Sequence, residues 1–189
     1  MFADMPAKKF TLTPEQIQAL RDGDKEIFRR LYFELQPRLY RFLWLKLRSV
    51  ERAEDLAQET FLRVWETRDR LRPDGNLEIY LFRIAGNLAT DARRARQRRP
   101  STTTLEATPL FDSRPAAGAL EYQELARRID AIIAKLPDRP KTAFLLSRYE
   151  ELSHAEIGAI MGLSIKTVEK HIGKALLALR AGLGKLDLL

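Results

Sequence analysis

Ser153-His154-Ala155-Glu156-Ile157-Gly158-Ala159-Ile160-Met161-Gly162-Leu163-Ser164-Ile165-Lys166-Thr167-Val168 holds the start, the stop and the restart of two helices. Ser153 and Glu156 have the spacing of a capping box, in which hydroxyl and carboxylate each satisfy the other residue's backbone N–H. Gly162 permits the left-handed conformation that ends a helix, and Ser164 can cap the next one. The stretch therefore reads as a helix-turn-helix. On its second helix Val168, Ile172, Ala175 and Leu179 fall on one face and are expected to bury against Ile157 and Ile160. Thr167, Lys170, His171 and Lys174 share another face, with Lys166 and Glu169 beside them. Such a helix presents its early turns to base edges in the major groove, so these six residues are the candidate contacts to duplex DNA.

Working outward, apolar residues recur at helical spacing along the rest of the chain, and no alternating strand pattern occurs. After the motif, the second helix is expected to run from Ser164 to Leu183; before it, patterns run from about Leu120 to Lys135 and from Asp138 to Tyr149. Pro100 to Ala119 holds three prolines, Ser101, Thr102, Thr103 and Thr104, and few large apolar residues, so it reads as a linker. Twenty extended residues reach roughly 66 Å at about 3.3 Å each, enough to hold two domains at separate points of a large partner. The expected organisation is a first domain over 1–99, a linker over 100–119 and a second domain over 120–189.

In the first domain Thr13-Pro14-Glu15-Gln16 marks a helix start. Ile27, Leu31, Leu35, Leu39, Phe42, Leu43 and Leu47 continue the period, and Pro37 is expected to split them into a helical hairpin. Glu51 to Arg68 repeats the pattern through Leu56, Phe61, Leu62, Val64 and Trp65, and the turn-forming Arg72-Pro73-Asp74-Gly75-Asn76 stops it. A last helix from Leu77 to about Arg98 ends with five arginines among the seven residues 93–99. Phe61, Trp65, Tyr80 and Phe82 lie within apolar stripes, and packing in the core is the expectation for most of them. The loop from Arg70 to Leu77 is a polar, turn-rich connection suited to presenting backbone and side chains to an unstacked nucleotide.

Composition agrees with a polyanionic partner. Lysines and arginines outnumber acids by 33 to 26, and residues 1–99 carry most of the excess, with 21 bases against 15 acids. The arginine run would supply phosphate affinity without sequence discrimination. With no cysteine, disulfides and thiolate zinc sites are excluded, and a reducing cytoplasm suits the chain. No signal segment is seen, and no stretch approaches the roughly 20 apolar residues that span a bilayer. His154 and His171 lie on different elements without a matching ligand cluster, so no metal site is expected.

Glu54-Asp55-Leu56-Ala57-Gln58-Glu59-Thr60-Phe61-Leu62-Arg63-Val64-Trp65 resembles region 2.2 of RNA polymerase sigma factors. Tyr80-Leu81-Phe82-Arg83-Ile84-Ala85-Gly86-Asn87-Leu88-Ala89-Thr90-Asp91, followed by arginines, resembles regions 2.3 and 2.4, and Leu136 to Arg180 resembles region 4. Two domains without further ones are the layout of the extracytoplasmic-function group. Glu169-Lys170-His171 with Lys174-Ala175-Leu176 resembles its iron-starvation branch.

The resemblance implies an all-α fold of two small domains and a non-enzymatic initiation factor without cofactor or metal. Asp55, Gln58, Glu59 and Leu62 would dock on the clamp helices of the polymerase β′ subunit, and the C-terminal domain on the β flap. The loop Arg72, Asp74, Gly75, Asn76 would capture a flipped base of the −10 element, with Asn87, Asp91, Arg93 and Arg94 bordering the same DNA. The helix from Ser164 would read the −35 duplex. An anti-sigma or membrane-bound regulator is a further implied partner. Tyr80 departs from the family, which commonly has tryptophan there. A stand-alone regulator would have no use for the carboxylate-rich face of Glu51 to Glu59, and an enzyme acting on nucleic acid would need groups for metal or general-base work, whereas no His-rich or phosphate-cradling glycine motif appears.

Overall fold

Helices account for all regular structure in the computed structural model, which describes residues 10–98 and 119–184. Thr13 and Gln16 form the capping box that starts α1 (Pro14–Arg21), with Pro14 at its first position. Asp24 caps α2 (Lys25–Leu47) by accepting from the N–H groups of Glu26 and Ile27. Ser49 caps α3 (Val50–Glu66), which leads into a 3-10 turn at Arg68–Arg70. Asn76 accepts from the Ile79 N–H at the start of α4 (Leu77–Arg98).

Pro37 does not divide the second helix, contrary to the hairpin expected from it. The proline is exposed, as is Phe33, whose carbonyl is the one deprived of its donor, so water can take the vacant hydrogen bond. Leu31, Leu35, Leu39, Phe42 and Leu43 meanwhile form one uninterrupted buried stripe. Keeping that stripe together outweighs the local loss.

Around this stripe α2, α3 and α4 form the first helical bundle. Ala53, Ala57, Ala85 and Ala89 are buried at the faces of α3 and α4, where small side chains let helices approach closely. Phe42 and Phe82 meet edge to face at 5.5 Å. Tyr80 and Trp65 are half-buried, and the Tyr80 hydroxyl pairs with that of Thr67 at 3.0 Å.

The second bundle comprises α5 (Ala119–Lys135), α6 (Asp138–Arg148), α7 (His154–Met161) and α8 (Ile165–Leu183). Residues 99–118 lie outside the described residues, and Ala119, read as the last residue of the linker, is the first of α5.

The two bundles pack against each other, α6 on α2 and α7 on α4, through carboxylates of the second set in cations of the first. Glu150, fully buried, accepts from Arg38 Nε and Arg41 Nη2, both at 3.0 Å, and Arg38 also donates to Glu78 at 2.6 Å. Asp138 accepts from Lys46 at 3.1 Å and from Thr90 and Arg93 at 3.2 Å. Asp130 accepts from both Nη atoms of Arg48, a residue held at φ 56° and stacked over Trp44. Asp138 is held below its ordinary pKa by Lys46 and Arg93, although burial opposes them. Burial raises the Glu150 carboxyl against the pull of Arg41 and Arg38. Lys141, buried beside Lys46, donates to the Lys46 carbonyl at 3.1 Å; burial and the neighbouring cations lower its pKa to about 8.

Candidate nucleic-acid interface

Both capping signals of the helix-turn-helix are realised in the geometry. Ser153 and Glu156 form the reciprocal box, Gly162 ends α7 at φ +64°, and the Ser164 hydroxyl accepts from the Thr167 N–H. Val168 and Ala175 are fully buried, with Ile172 and Leu179 packed beside them, and Ile157 and Ile160 lie in the same core. That anchoring leaves the opposite side of α8 uncovered. Lys166, Glu169, Lys170 and Lys174 are exposed, while Thr167 and His171 are half-buried.

Two of these six residues have internal partners. Thr167 shares a hydroxyl pair with Ser164 at 2.8 Å, and Glu169 lies 3.6 Å from His154 Nδ1. Partial burial, and then Arg139, Lys174 and Lys170, lower the pKa of His171, which favours its neutral imidazole. The three lysines thus give α8 an outward cationic face, and Arg139 of α6 extends it.

In the loop before α4 several side chains and backbone groups are engaged with one another. Arg72 and Asp74 pair at 3.0 Å, both exposed, and Gly75 donates to the Arg72 carbonyl at 2.9 Å to close a turn. A Cβ at Gly75 would lie 3.0 Å from that carbonyl oxygen. Asn76 is spent on the α4 cap. Asn87, Asp91 and Arg94 are exposed on α4, about 16 Å or more along the helix from the loop at 1.5 Å per residue. Arg93 stands apart from them, half-buried and engaged by Asp138.

Asp55, Gln58, Glu59 and Leu62 share one face of α3. Asp55 borders a groove with Arg52, Leu56, Arg96 and Arg98, where the basic end of α4 passes. Gln58 and Leu62 border a second groove with Phe28, Tyr32, Phe61 and Trp65. Leu62 is 56% exposed, so an apolar edge of this groove is left open beside the carboxylates. Glu59 is paired with Arg63 at 2.7 Å. The α2 part of this aromatic surface, Phe28 and Tyr32, was missed in the sequence, although the two stand at i and i+4.

Residues 31–99 match the family described as sigma-70 region 2, and residues 126–179 match sigma-70, region 4. The fold and these two matches define a promoter-directed initiation factor of the sigma-70 type, composed of its second and fourth regions. The chain is 30% identical to the ECF RNA polymerase sigma factor SigW of Bacillus subtilis, over 88% of this chain and 94% of the relative. It is 32% identical to the RNA polymerase sigma-H factor of Pseudomonas aeruginosa, over 87% and 92%, and 33% identical to CarQ of Myxococcus xanthus, over 91% and 98%. The chain belongs to the extracytoplasmic-function sigma factors of RNA polymerase. Its fold is shared by CnrH, solved with the cytosolic domain of CnrY, at TM-score 0.69 and 24% identity over 90% and 96% of the two chains. RpoE of Bartonella quintana, solved with the anti-sigma factor NepR, gives 0.67 and 24% over 85% and 98%.

Proposed function

We propose that the chain divides promoter-directed initiation between its halves, residues 1–99 holding core polymerase and the −10 element and residues 120–189 the −35 element, with 100–119 as tether. The supporting observation is the uncovered lysine face of α8, anchored from behind by Val168 and Ala175, in one chain with the open apolar and acidic face of α3. Asp55, Gln58, Glu59 and Leu62 dock on the β′ clamp helices, and the α8 bundle docks on the β flap. Arg72, Asp74, Gly75 and Asn76 capture an unstacked base, and Asn87, Asp91, Arg93 and Arg94 line the adjacent strand. Binding only the melted form draws the duplex open, so the chain itself carries out no catalysis and uses no cofactor.

Lys166, Thr167, Glu169, Lys170, His171 and Lys174 read the −35 duplex. Among the described residues no helix is long and apolar enough to cross a membrane and no acidic or histidine cluster suited to a metal occurs. The absence of cysteine supports the cytoplasm as its compartment. An anti-sigma protein is the regulator favoured by the RpoE likeness, and the Glu169-Lys170-His171 sequence favours the iron-starvation branch.

The test is a pair of variants assayed against sigma-free polymerase and promoter duplex. Asp55→Ala with Gln58→Ala should weaken association with the enzyme and leave binding to an isolated −35 duplex intact. Lys170→Ala with Lys174→Ala should do the reverse. Variants that affect both activities equally would defeat the division.

A further inference from the structure

Four of the described glycines lie within helices, and two of them answer to the chain's own packing. A Cβ at Gly158 would come 2.7 Å from the Leu163 carbonyl oxygen, and one at Gly182 would strike Ile132 Cδ1 at 2.5 Å. Gly173 is different. A Cβ there meets nothing within 4 Å, and its backbone is ordinary right-handed helix, outside the positive-φ glycines 23, 162 and 184. A glycine in a helix interior weakens the helix relative to alanine. Nothing among the described residues requires this one.

Its position points outward. Lys166, Glu169, Lys170 and Gly173 stand at i, i+3, i+4 and i+7, hence on one face, with Lys174 adjacent and Val168 and Ala175 buried behind. Gly173, itself half-buried, is a gap beside the exposed Glu169, Lys170 and Lys174. A helix with its side chains is about 10–12 Å across and the major groove about 12 Å wide, so seating depth is limited by the side chains on the face turned to the groove.

We propose that Gly173 is a positioning residue for duplex recognition: its missing side chain lets the α8 backbone sit deeper in the major groove, bringing Lys166 and Lys170 onto base edges. The proposal rests on the assignment of α8 to the −35 duplex. Any side chain at 173 lifts this end of the helix and lengthens the contacts of Lys170, one turn before it, and of the adjacent Lys174.

The test uses the full-length chain and the −35 duplex of a promoter selected from random templates by wild-type chain with sigma-free polymerase. Gly173→Ala should raise Tm by about 2–4 °C, as removal of a helix-interior glycine does. It should also weaken the duplex at least about fivefold, the lower end of one lost base contact. Gly173→Gln should weaken it further. Gly86→Ala, at another helical glycine with open space around its Cβ, should raise Tm similarly and leave −35 affinity within about twofold. The proposal is overturned if Gly173→Ala binds like wild type while Lys170→Ala with Lys174→Ala loses binding, a result that spares the assignment of α8. It is equally overturned if Gly86→Ala weakens −35 binding as much, or if Gly173→Ala lowers Tm. Should the double lysine variant also bind normally, the assignment itself fails and the proposal with it.

Discussion

Replacing Glu150 by alanine should part the two bundles. Its carboxylate is fully buried between them and accepts from Arg38 and Arg41 at 3.0 Å each. Two charge-assisted hydrogen bonds are lost, each about 1.5–3 kcal/mol, and breaking a buried pair from one side typically costs about 3–5 kcal/mol. The lower range applies, because Arg38 keeps Glu78 at 2.6 Å and Arg41 keeps the Tyr149 carbonyl at 2.5 Å. Losing the buried carboxylate's desolvation penalty offsets more. A net weakening of about 2–4 kcal/mol remains, roughly 30- to 800-fold in the equilibrium between packed and parted bundles. Since the chain has no cysteine, Glu66→Cys and Lys135→Cys at exposed sites of the two bundles give a clean pair of label positions. Energy transfer should fall and the scattering radius grow in Glu150→Ala, with Glu150→Gln between it and wild type. Because the pair is buried, moderate salt should not reproduce the effect. Labels that keep their wild-type separation in Glu150→Ala would refute the reasoning.

Other perturbations follow from single sites. Lys141 has its folded pKa lowered to about 8 against an ordinary 10.5, so between those values the unfolded chain binds more protons and stability rises with pH. The gain has an upper bound of about 3 kcal/mol, and Lys141→Met should flatten that part of a denaturation-against-pH profile. Asp138 works in the opposite range: its contribution is complete above 3.8 and is lost as pH falls through its lowered folded value, a loss that Asp138→Asn should remove from acid titrations of stability. Ser153→Ala deletes one side of the capping box and should cost about 0.5–2 kcal/mol in urea unfolding, through α7. Lys174→Ala should reduce the slope of log affinity against log salt by about 1, as the loss of one phosphate contact does.

What could be read from the chain was what is encoded locally. Caps, periods and turn residues act within a few positions, so the helix-turn-helix, the starts of α1 and α8 and the buried face of α8 were legible from Thr13, Ser153, Gly162, Ser164 and the Val168 stripe. Pro37 misled because its local rule assumes an isolated helix, whereas here a buried stripe crosses it. The seam between the bundles was invisible: Arg38 and Glu150 are 112 residues apart, and nothing in one sequence ties them. One signal was present, Lys46 inside the apolar run Phe42-Leu43-Trp44-Leu45-Lys46-Leu47, since a lysine there must find a partner. The same seam explains why Arg93, read as a DNA contact with Arg94, is tied to Asp138 while Arg94 is exposed.

Transcription from a library of random templates, with sigma-free polymerase and the purified chain, addresses the central claim most directly. Initiation is predicted at discrete start sites whose upstream DNA shares two sequence elements at fixed spacing, one for each bundle. A folded chain that yields no specific start on any template would contradict it.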